Sequence, residues 1–311
     1  MQIYRMPGAV FPRVARVVAL GFFDGMHLGH TALLSAARRE ARRRACPLAV
    51  FTFADDGSLK PGALRLLSER ERLDRLSAAG VDEVFLYSFS ALRGLSPEAF
   101  FEDVLAGALS ATAVACGYNF HFGAGGAGDT ACLAALATRA GMGVITLPAV
   151  TVAGQPISAS AIRAALAAGD AEGATRLLGR PYAISGTVAH GKALGHTIGV
   201  PTANLPIPPG MALPALGVYA AVGYLAGDGR PLPGVANIGV RPTVEHGSAP
   251  NCETHFLTPV GDIYGQDLTV HLLCRLRGEQ QFENLEALCA QIARDKAKAK
   301  EYIEQWLNGQ N

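Results

Sequence analysis

The sequence predicts an α/β domain with a parallel sheet, followed by a small antiparallel β-barrel domain with a C-terminal helix. Up to about residue 180, short apolar strand-like segments alternate with segments of helical spacing. Beyond that point Gly and Pro become frequent, and strand-like runs follow one another without helices. The first pattern is typical of a parallel sheet covered by helices. The second favours a compact barrel.

The strand-like segments of the first part are rich in β-branched and aromatic residues, and several helical segments between them have clear boundaries. Ser96 and Pro97 open one helix, while Gly80 and Gly141 close two others. Residues 282–307 form a final amphipathic segment. We therefore predict an α/β domain over residues 1–180 and a barrel domain over residues 181–311. The predicted strands are VARVVALGF, PLAVFTF, DEVFLYSF, TAVACGYNF and GVITLPAV, then YAISGTVAH, GVYAAVGYLA, GVANIGV, CETHFLTP and DLTVHLLCRL.

Composition limits the classes of partner. Half of the residues are apolar, 17% are charged and the formal net charge is +1, which excludes global disorder and does not favour nucleic acid or an anionic membrane. The N-terminus lacks a signal-peptide pattern, and no apolar run reaches the roughly 20 residues of a membrane span. Six dispersed cysteines favour free thiols. We expect a cytoplasmic protein whose partners are small molecules, with the oligomeric state open.

The stretch GFFDGMHLGH, residues 21–30, places two histidines where the first apolar strand meets a helix. In open parallel sheets, ligands bind beyond the carboxyl ends of the strands. Gly25 and Gly29 allow close approach of the backbone, and the helix start offers N–H groups to phosphate. His27 and His30 share one face there and can stabilise charge on a transferred phosphoryl group. Taken alone, HxxH favours a helix cap with two incidental histidines, or a metal pair, over donation to phosphate.

The whole string resembles the HxGH signature of the nucleotidyltransferase superfamily, in the form found in bacterial bifunctional riboflavin kinase/FAD synthetases. GYNFHFG (residues 117–123) and ISASAIR (residues 157–163) are similar to that family's G-x-[DN]-F-x-F-G and I-S-S-T-x-I-R. The resemblance implies a Rossmann-like FMN adenylyltransferase domain that holds ATP between two helix starts, with His27 and His30 catalytic. Serines can cap the second helix start, and an arginine adds a fixed cation there. The implied ATP contacts are Gly21, Phe22, Asp24, Gly25, Gly29, Asn119, Ser158, Ser160 and Arg163.

A glycine-rich stretch, GKALGHTIGVPTANL, marks the second half. GTVAHGKA imitates a Walker A loop, but Ala193 replaces the Ser or Thr that binds magnesium and no helix follows, so we reject that interpretation. A glycine-rich loop can still bind phosphate through backbone N–H groups, and side-chain oxygens can hold Mg²⁺. The alternative is a purely structural, turn-rich corner of the barrel. PTAN after this run resembles the riboflavin kinases, which implies ATP contacts from Gly191, Lys192, Gly195, Gly199, Pro201 and Thr202, and Mg²⁺ ligands Thr202 and Asn204.

The string CETHF contains the candidate general base, Glu253. Phosphorylating a primary alcohol requires a group that accepts its proton during attack on the γ-phosphate, and the resemblance places the family's catalytic glutamate here. His255 shares the strand face of Glu253 and is a neighbouring candidate. Arg277 and Glu279 either form a structural ion pair or line the flavin site, and Asn204 is a further candidate flavin contact.

The resemblance spans about residues 17–302 and implies two reactions: riboflavin and MgATP give FMN, then FMN and a second ATP give FAD and pyrophosphate. Three stretches depart from the family pattern. FTFADDG replaces FTFDPHP, Ala159 replaces a serine, and GAGGAGD lacks the usual basic residues. A riboflavin kinase with a weakened or lost adenylyltransferase is therefore the enzymatic alternative. A non-catalytic flavin-nucleotide-binding regulator is the alternative from another class.

Overall fold

The computed structural model describes residues 1–55, 64–190, 201–243 and 247–309. Contacts within the chain divide it into a first unit, Met1–Ala159, and a second unit, Ser160–Asn311. All six cysteines carry free thiols. Within the described residues, no helix is both long enough and apolar enough to cross a membrane.

The first unit contains the predicted parallel sheet. Its six strands lie in the order β1-β4-β3-β2-β5-β6, and every neighbouring pair is parallel. The edge strand β1 was not predicted, because its residues are mostly exposed and show no apolar run. The strands are β1 (Gln2–Met6), β2 (Arg16–Leu20), β3 (Leu48–Phe53), β4 (Glu83–Tyr87), β5 (Ala111–Gly117) and β6 (Gly143–Leu147), with a small hairpin of β7 (Thr151–Val152) and β8 (Gln155–Pro156).

Helices cover both faces of this sheet, as predicted. On β2, Val17 and Ala19 pack into one core with α1, whereas Val18 and Leu20 pack into the other core with the π-helix and α5. A strand buried on both faces needs a continuous apolar sequence, which RVVAL provides. The helices are α1 (Leu28–Arg43), α2 (Glu69–Ala78), α3 (Phe89–Leu92), α4 (Pro97–Ala99), the π-helix Phe100–Ala108 and α5 (Thr130–Arg139), with 3₁₀ turns at Asp24–Met26 and Ala124–Gly126.

The second unit contains a nearly closed antiparallel barrel. Six strands lie in the order β10-β13-β12-β11-β14-β9. The two edge strands approach each other where Ala189 N–H donates to Asn204 O at 2.9 Å. The barrel and the final helix were predicted. Its elements are α6 (Ala159–Ala168), α7 (Ala171–Leu178), β9 (Tyr182–Thr187), β10 (Ala203–Pro206), β11 (Gly217–Leu225), β12 (Leu232–Thr243), β13 (Gly247–Phe256), β14 (Asp267–Arg277) and α8 (Leu285–Asn308).

Helices α6 and α7 pack with the barrel elements. Ala215 N–H donates to Leu166 O at 2.8 Å, and the Tyr302 hydroxyl donates to Glu172 Oε1 at 2.7 Å. The barrel strands begin at Tyr182. A functional boundary at residue 180 stays a prediction.

A buried ion pair ties together the amino ends of three strands in the first unit. Arg16, fully buried at the start of β2, donates to both carboxylate oxygens of Glu83 at 2.6 and 3.1 Å. Its other guanidinium N–H groups donate to the carbonyls of Pro12, Val14 and Leu109. All five donors of the guanidinium are thereby used. The pair therefore holds the edge of the sheet opposite the carboxyl ends of its strands.

We expect Glu83→Gln to destabilise the first unit by about 3–5 kcal/mol, because it leaves the charge of Arg16 buried without a counter-charge. Native-state hydrogen exchange of the β2 amides measures the loss. Glu40→Gln is the matched control, since Glu40 pairs near the surface with Arg43 and Arg44, whose side chains are 66% and 28% exposed, and such surface pairs contribute about 1 kcal/mol or less each. Equal effects of the two variants would contradict the assignment.

Candidate functional sites

The two sequence motifs of the first sheet lie at the same edge. From β2 the chain runs outward to β3 on one side, and later returns to β5 on the other side. This reversal creates a crevice beyond the carboxyl ends of β2 and β5, where open parallel sheets bind ligands. Residues 21–30 follow β2, and residues 117–123 follow β5. The topology therefore brings GFFDGMHLGH and GYNFHFG together.

The turn between β2 and α1 has a constrained backbone. Phe23, Gly25 and Met26 have φ values of 56°, 76° and 41°, in a region that costs energy for residues with a side chain. Burial of the Phe23 and Met26 side chains in the core beside α1 stabilises this conformation. Gly29 is needed for another reason, since a Cβ there would lie 3.1 Å from the ring of His27. The glycines of the motif thus shape the turn around the histidines.

The two histidines form a stacked pair at the start of α1. Their ring centroids lie 3.7 Å apart at 15°, and His27 Nδ1 accepts the backbone N–H of His30 at 3.3 Å. Neutral His27 therefore carries its proton on Nε2. The nitrogens of two stacked rings do not point at one common metal ion. The described residues also contain no group of three or more His, Cys, Asp or Glu side chains arranged for a metal. The geometry favours helix capping combined with donation to an anion.

His30 is held neutral at pH 7. Burial, and next the neighbouring His27, lower its pKa well below the usual 6.5. Its Nδ1 is buried and has no hydrogen-bond partner among the described residues.

Other predicted ATP contacts of the first unit have structural partners. Asp24 is buried, and its Oδ1 accepts the backbone N–H groups of Leu66 at 2.8 Å and Leu67 at 3.3 Å. Phe22, half-buried, follows Gly21 at the end of β2, and Asn119 is exposed in the turn after β5. Roles of these residues in ATP binding stay predictions.

The ISASAIR string lies where a helix begins, as predicted. Helix α6 begins at Ala159, so Ser158 precedes its first residue and Ser160 lies in its first turn. Arg163 Nη2 donates to Ser160 Oγ at 3.3 Å. Their contact with phosphate stays a prediction.

Arg72 was missed by sequence analysis. Its guanidinium is buried and donates to the carbonyls of Phe22 at 3.1 Å and Phe53 at 2.7 Å, and it lies 5.0 Å from the Phe22 ring centroid. It therefore joins the loops that follow β2 and β3. The sequence ERERLDRL reads as a solvated charge run, and no signal distinguishes this arginine from its neighbours.

The FTFADDG departure is accommodated by polar partners. A proline of the family string falls at Asp55, whose backbone N–H donates to Glu69 Oε2 at 2.8 Å, and a proline has no N–H to donate. Its carboxylate pairs with Arg65 at 2.6 Å. The next residues of this string, Asp56 and Gly57, lie outside the described residues.

A cavity of about 360 Å³ opens on the barrel of the second unit, within the size range of small-molecule sites. Aliphatic side chains from β11, β12 and α8 line one part of it, together with Phe282. Thr202, Glu253, Arg277 and Glu279 also line it, so the structure brings together four residues predicted from three separate strings. The predicted phosphate contacts Gly191, Lys192, Gly195 and Gly199 lie outside the described residues.

Glu253 occupies the middle of three paired strands. In the register, it is opposite Asn204 on β10 and Asn237 on β12. Asn251, which was not predicted, donates from Nδ2 to Glu253 Oε1 and to Asn204 Oδ1, both at 3.3 Å. The carboxylate thus lies among amides at the cavity wall, oriented by a residue two positions before it.

Arg277 forms an ion pair, but its partner is not Glu279, and its role in flavin binding stays a prediction. It lines the cavity, and its Nε donates to Asp295 Oδ2 at 2.9 Å. The ion-pair partner is the buried Asp295 on α8, which also accepts from Gln291 at 2.8 Å. Phe282 lies 5.6 Å from the Arg277 guanidinium. The final helix therefore fixes a cation at the cavity.

His255, next to Glu253 on the same strand face, lines the cavity and contacts the segment before β10. Its Nδ1 donates to Pro201 O at 2.9 Å. Burial lowers its pKa below 6.5, the Pro201 carbonyl acts in the opposite direction, and the charge of Lys296 lowers it further. The imidazole is neutral at pH 7, with its proton on Nδ1.

We expect His30 to make the stability of the chain depend on pH below 6.5. Because burial and His27 lower its pKa in the folded chain, the unfolded chain binds a proton there that the folded chain does not, so stability falls as the pH falls through 6.5. Unfolding free energies measured at about pH 7.5 and about pH 5.5 should differ less in His30→Asn than in the wild type. An unchanged difference would contradict the assignment.

Comparisons with known proteins give matches over both parts of the chain. A FAD synthetase family model matches residues 13–161, and a riboflavin kinase model matches residues 178–303. The bifunctional riboflavin kinase/FMN adenylyltransferase of Escherichia coli strain K12 is 40% identical over 297 residues, covering 94% of each chain. The protein of that name from Pseudomonas fluorescens is 37% identical and covers 91% of this chain and 92% of its own.

A crystal structure described as a macrolide-efflux protein from Streptococcus pneumoniae has a TM-score of 0.86 and 29% identity, covering 96% of this chain and 99% of that chain. The two family models match successive parts of the chain, and the two relatives align over more than nine tenths of it. The chain therefore belongs to the family of bifunctional riboflavin kinase/FMN adenylyltransferases.

Proposed function

We propose that this chain makes FMN from riboflavin on the barrel and then FAD from FMN on the α/β unit, in two separate active sites. The observation that carries the kinase assignment is the cavity that joins Glu253 to Thr202. The stacked histidines at the crevice beyond β2 and β5 support the second assignment. The order of the two family models agrees with both. Unpaired thiols and ATP as substrate fit a cytoplasmic location.

In the kinase reaction, the primary hydroxyl of riboflavin attacks the γ-phosphorus of ATP, the bond between the β- and γ-phosphates breaks, and ADP leaves. Glu253 accepts the hydroxyl proton. Aliphatic walls from β11, β12 and α8 receive the flavin ring, and Arg277, held by Asp295, contributes a cation at its edge. Catalysis consists mainly of positioning the groups and of electrostatic stabilisation.

The oxygen donors near this cavity suit a hard cation. Thr202 offers a hydroxyl at the cavity wall, and Asn204 offers an amide oxygen that also accepts a hydrogen bond from Asn251. Mg²⁺ binds few protein oxygens and keeps water and phosphate ligands, so this pair fits it. Bound Mg²⁺ would neutralise charge on the ATP phosphates.

In the adenylyl transfer, a phosphate oxygen of FMN attacks the α-phosphorus of ATP, the bond between the α- and β-phosphates breaks, and pyrophosphate leaves. His27 and His30 donate N–H groups to the developing negative charge at the start of α1. His30 acts as a neutral donor, because burial keeps its pKa low.

We expect Glu253→Gln to lower the rate of FMN formation by about 10²–10⁴-fold, as for the loss of a general base. Glutamine keeps the shape and the oxygen that accepts from Asn251. Purified protein with riboflavin, ATP and Mg²⁺ is assayed for FMN. The variant should still convert supplied FMN to FAD. An unchanged kinase rate would rule out Glu253 as the base.

We expect His30→Ala to lower FAD formation by about 10²–10³-fold, as for removal of one preorganised donor, while FMN formation continues. The same product assay shows this as accumulation of FMN. Equal loss of both products would contradict two separate sites. If the wild type accumulates FMN and makes no FAD even at high enzyme concentration, the adenylyltransferase assignment fails and the kinase assignment stands.

A further inference from the structure

Two side chains on β13 reach the PTAN segment, residues 201–204, one on each side of Glu253. Residues 251, 253 and 255 alternate along the strand and share one face. Asn251 Nδ2 donates to Asn204 Oδ1 at 3.3 Å, and His255 Nδ1 donates to Pro201 O at 2.9 Å. The base is therefore flanked by two cross-strand connections to the PTAN segment.

These connections converge on Thr202. Asn204 Nδ2 donates to Thr202 O at 3.3 Å, so the carbonyls on both sides of the Thr202 Cα accept hydrogen bonds from side chains: one from His255, the other from Asn204. Peptide groups are planar and rigid. Fixing the planes before and after one Cα fixes the direction of its Cα–Cβ bond. A β-branched threonine then has few side-chain rotamers left.

The hydrogen-bond partners of His255 and Asn204 also determine which of their side-chain atoms carry hydrogen. A carbonyl oxygen only accepts, so His255 must carry its proton on Nδ1. The Asn204 side chain is buried. Its Nδ2 can donate to Thr202 O only in the amide orientation in which its Oδ1 accepts from Asn251. Each group in the series therefore fixes the orientation of the next.

We propose that His255 and Asn251 are positioning residues that aim the Thr202 hydroxyl at the phosphates of MgATP in the kinase cavity, His255 through Pro201 O and Asn251 through Asn204. This inference rests on the proposed kinase function of the barrel. It distinguishes Thr202, which contacts the nucleotide, from His255 and Asn251, which act through it. His255 lines the same cavity, but the aliphatic part that the proposed function assigns to the flavin ring comes from β11, β12 and α8. Loss of the positioning contacts should therefore affect MgATP and leave riboflavin binding nearly unchanged.

His255→Asn and His255→Gln form a matched pair. Both remove the imidazole ring and any contact that the ring makes in the cavity. Asparagine places an amide N–H at the position of Nδ1, whereas glutamine places it one bond farther from the backbone. We expect kcat/KM for MgATP to fall about tenfold in His255→Gln, as for one lost hydrogen bond. It should stay within about threefold in His255→Asn, and the KM for riboflavin within about twofold in both.

A double-mutant cycle tests whether the effect passes through Thr202. In a Thr202→Val background, His255→Gln should cause no further loss in kcat/KM for MgATP, because the hydroxyl that it positions is gone. If the two substitutions acted independently, their fold-losses in kcat/KM would multiply in the double variant. Equal values for His255→Asn and His255→Gln, full losses in the Thr202→Val background, or parallel rises of both KM values would each overturn the inference.

A readout without turnover uses the tautomer. Imidazole ¹⁵N shifts at about pH 8, assigned by the signal lost in His255→Asn, should show a protonated Nδ1 and an unprotonated Nε2. The opposite tautomer overturns the inference whatever the kinetics. A wild-type chain that makes no FMN overturns the proposed function and this inference with it. FMN formation with equal His255→Asn and His255→Gln rates overturns the inference alone.

Discussion

The backbone pairing of β10 with β13 is the constraint on which the chemistry of the second unit depends. It places Asn204 directly opposite Glu253. A slip of one residue would turn every side chain of a strand to the opposite face, so the carboxylate would leave the cavity that Thr202 lines. The near closure of the barrel at Ala189 and Asn204 protects this register, because a strand that is paired on both sides cannot slide easily.

A comparable constraint acts in the first unit, at the turn between β2 and α1. The strand is buried on both faces, and its position beside β5 decides where the turn emerges. The turn includes non-glycine residues with positive φ, which persist because the Phe23 and Met26 side chains are buried. Packing in the core thus compensates for the strained backbone of the turn that precedes the stacked histidines.

Much of the fold follows from the sequence alone, since apolar periodicity marked the sheet, the barrel and the final helix. The site was less accessible. His27, His30, Thr202 and Glu253 were predicted from ordered motifs, but Arg72 and Asn251 were not. Arg72 is the one buried member of a charge run whose other members are half-buried or exposed, and an asparagine before a strand motif has no distinguishing pattern. Burial separates such residues from their neighbours, and burial of one polar side chain depends on contacts between distant segments.

The sequence by itself determined which groups are present and in what order: two histidines at a helix start, a PTAN segment, and a glutamate on a strand. Periodicity and motif spacing encode these features locally, so no contact needs to be known. Only the tertiary structure decided which of the distant groups meet. Arg277 pairs with Asp295 on the final helix and not with Glu279 two residues away, and His255 reaches Pro201. Those partners are separated by many residues along the chain, and strand register and helix packing, which no local pattern specifies, bring them within hydrogen-bonding distance.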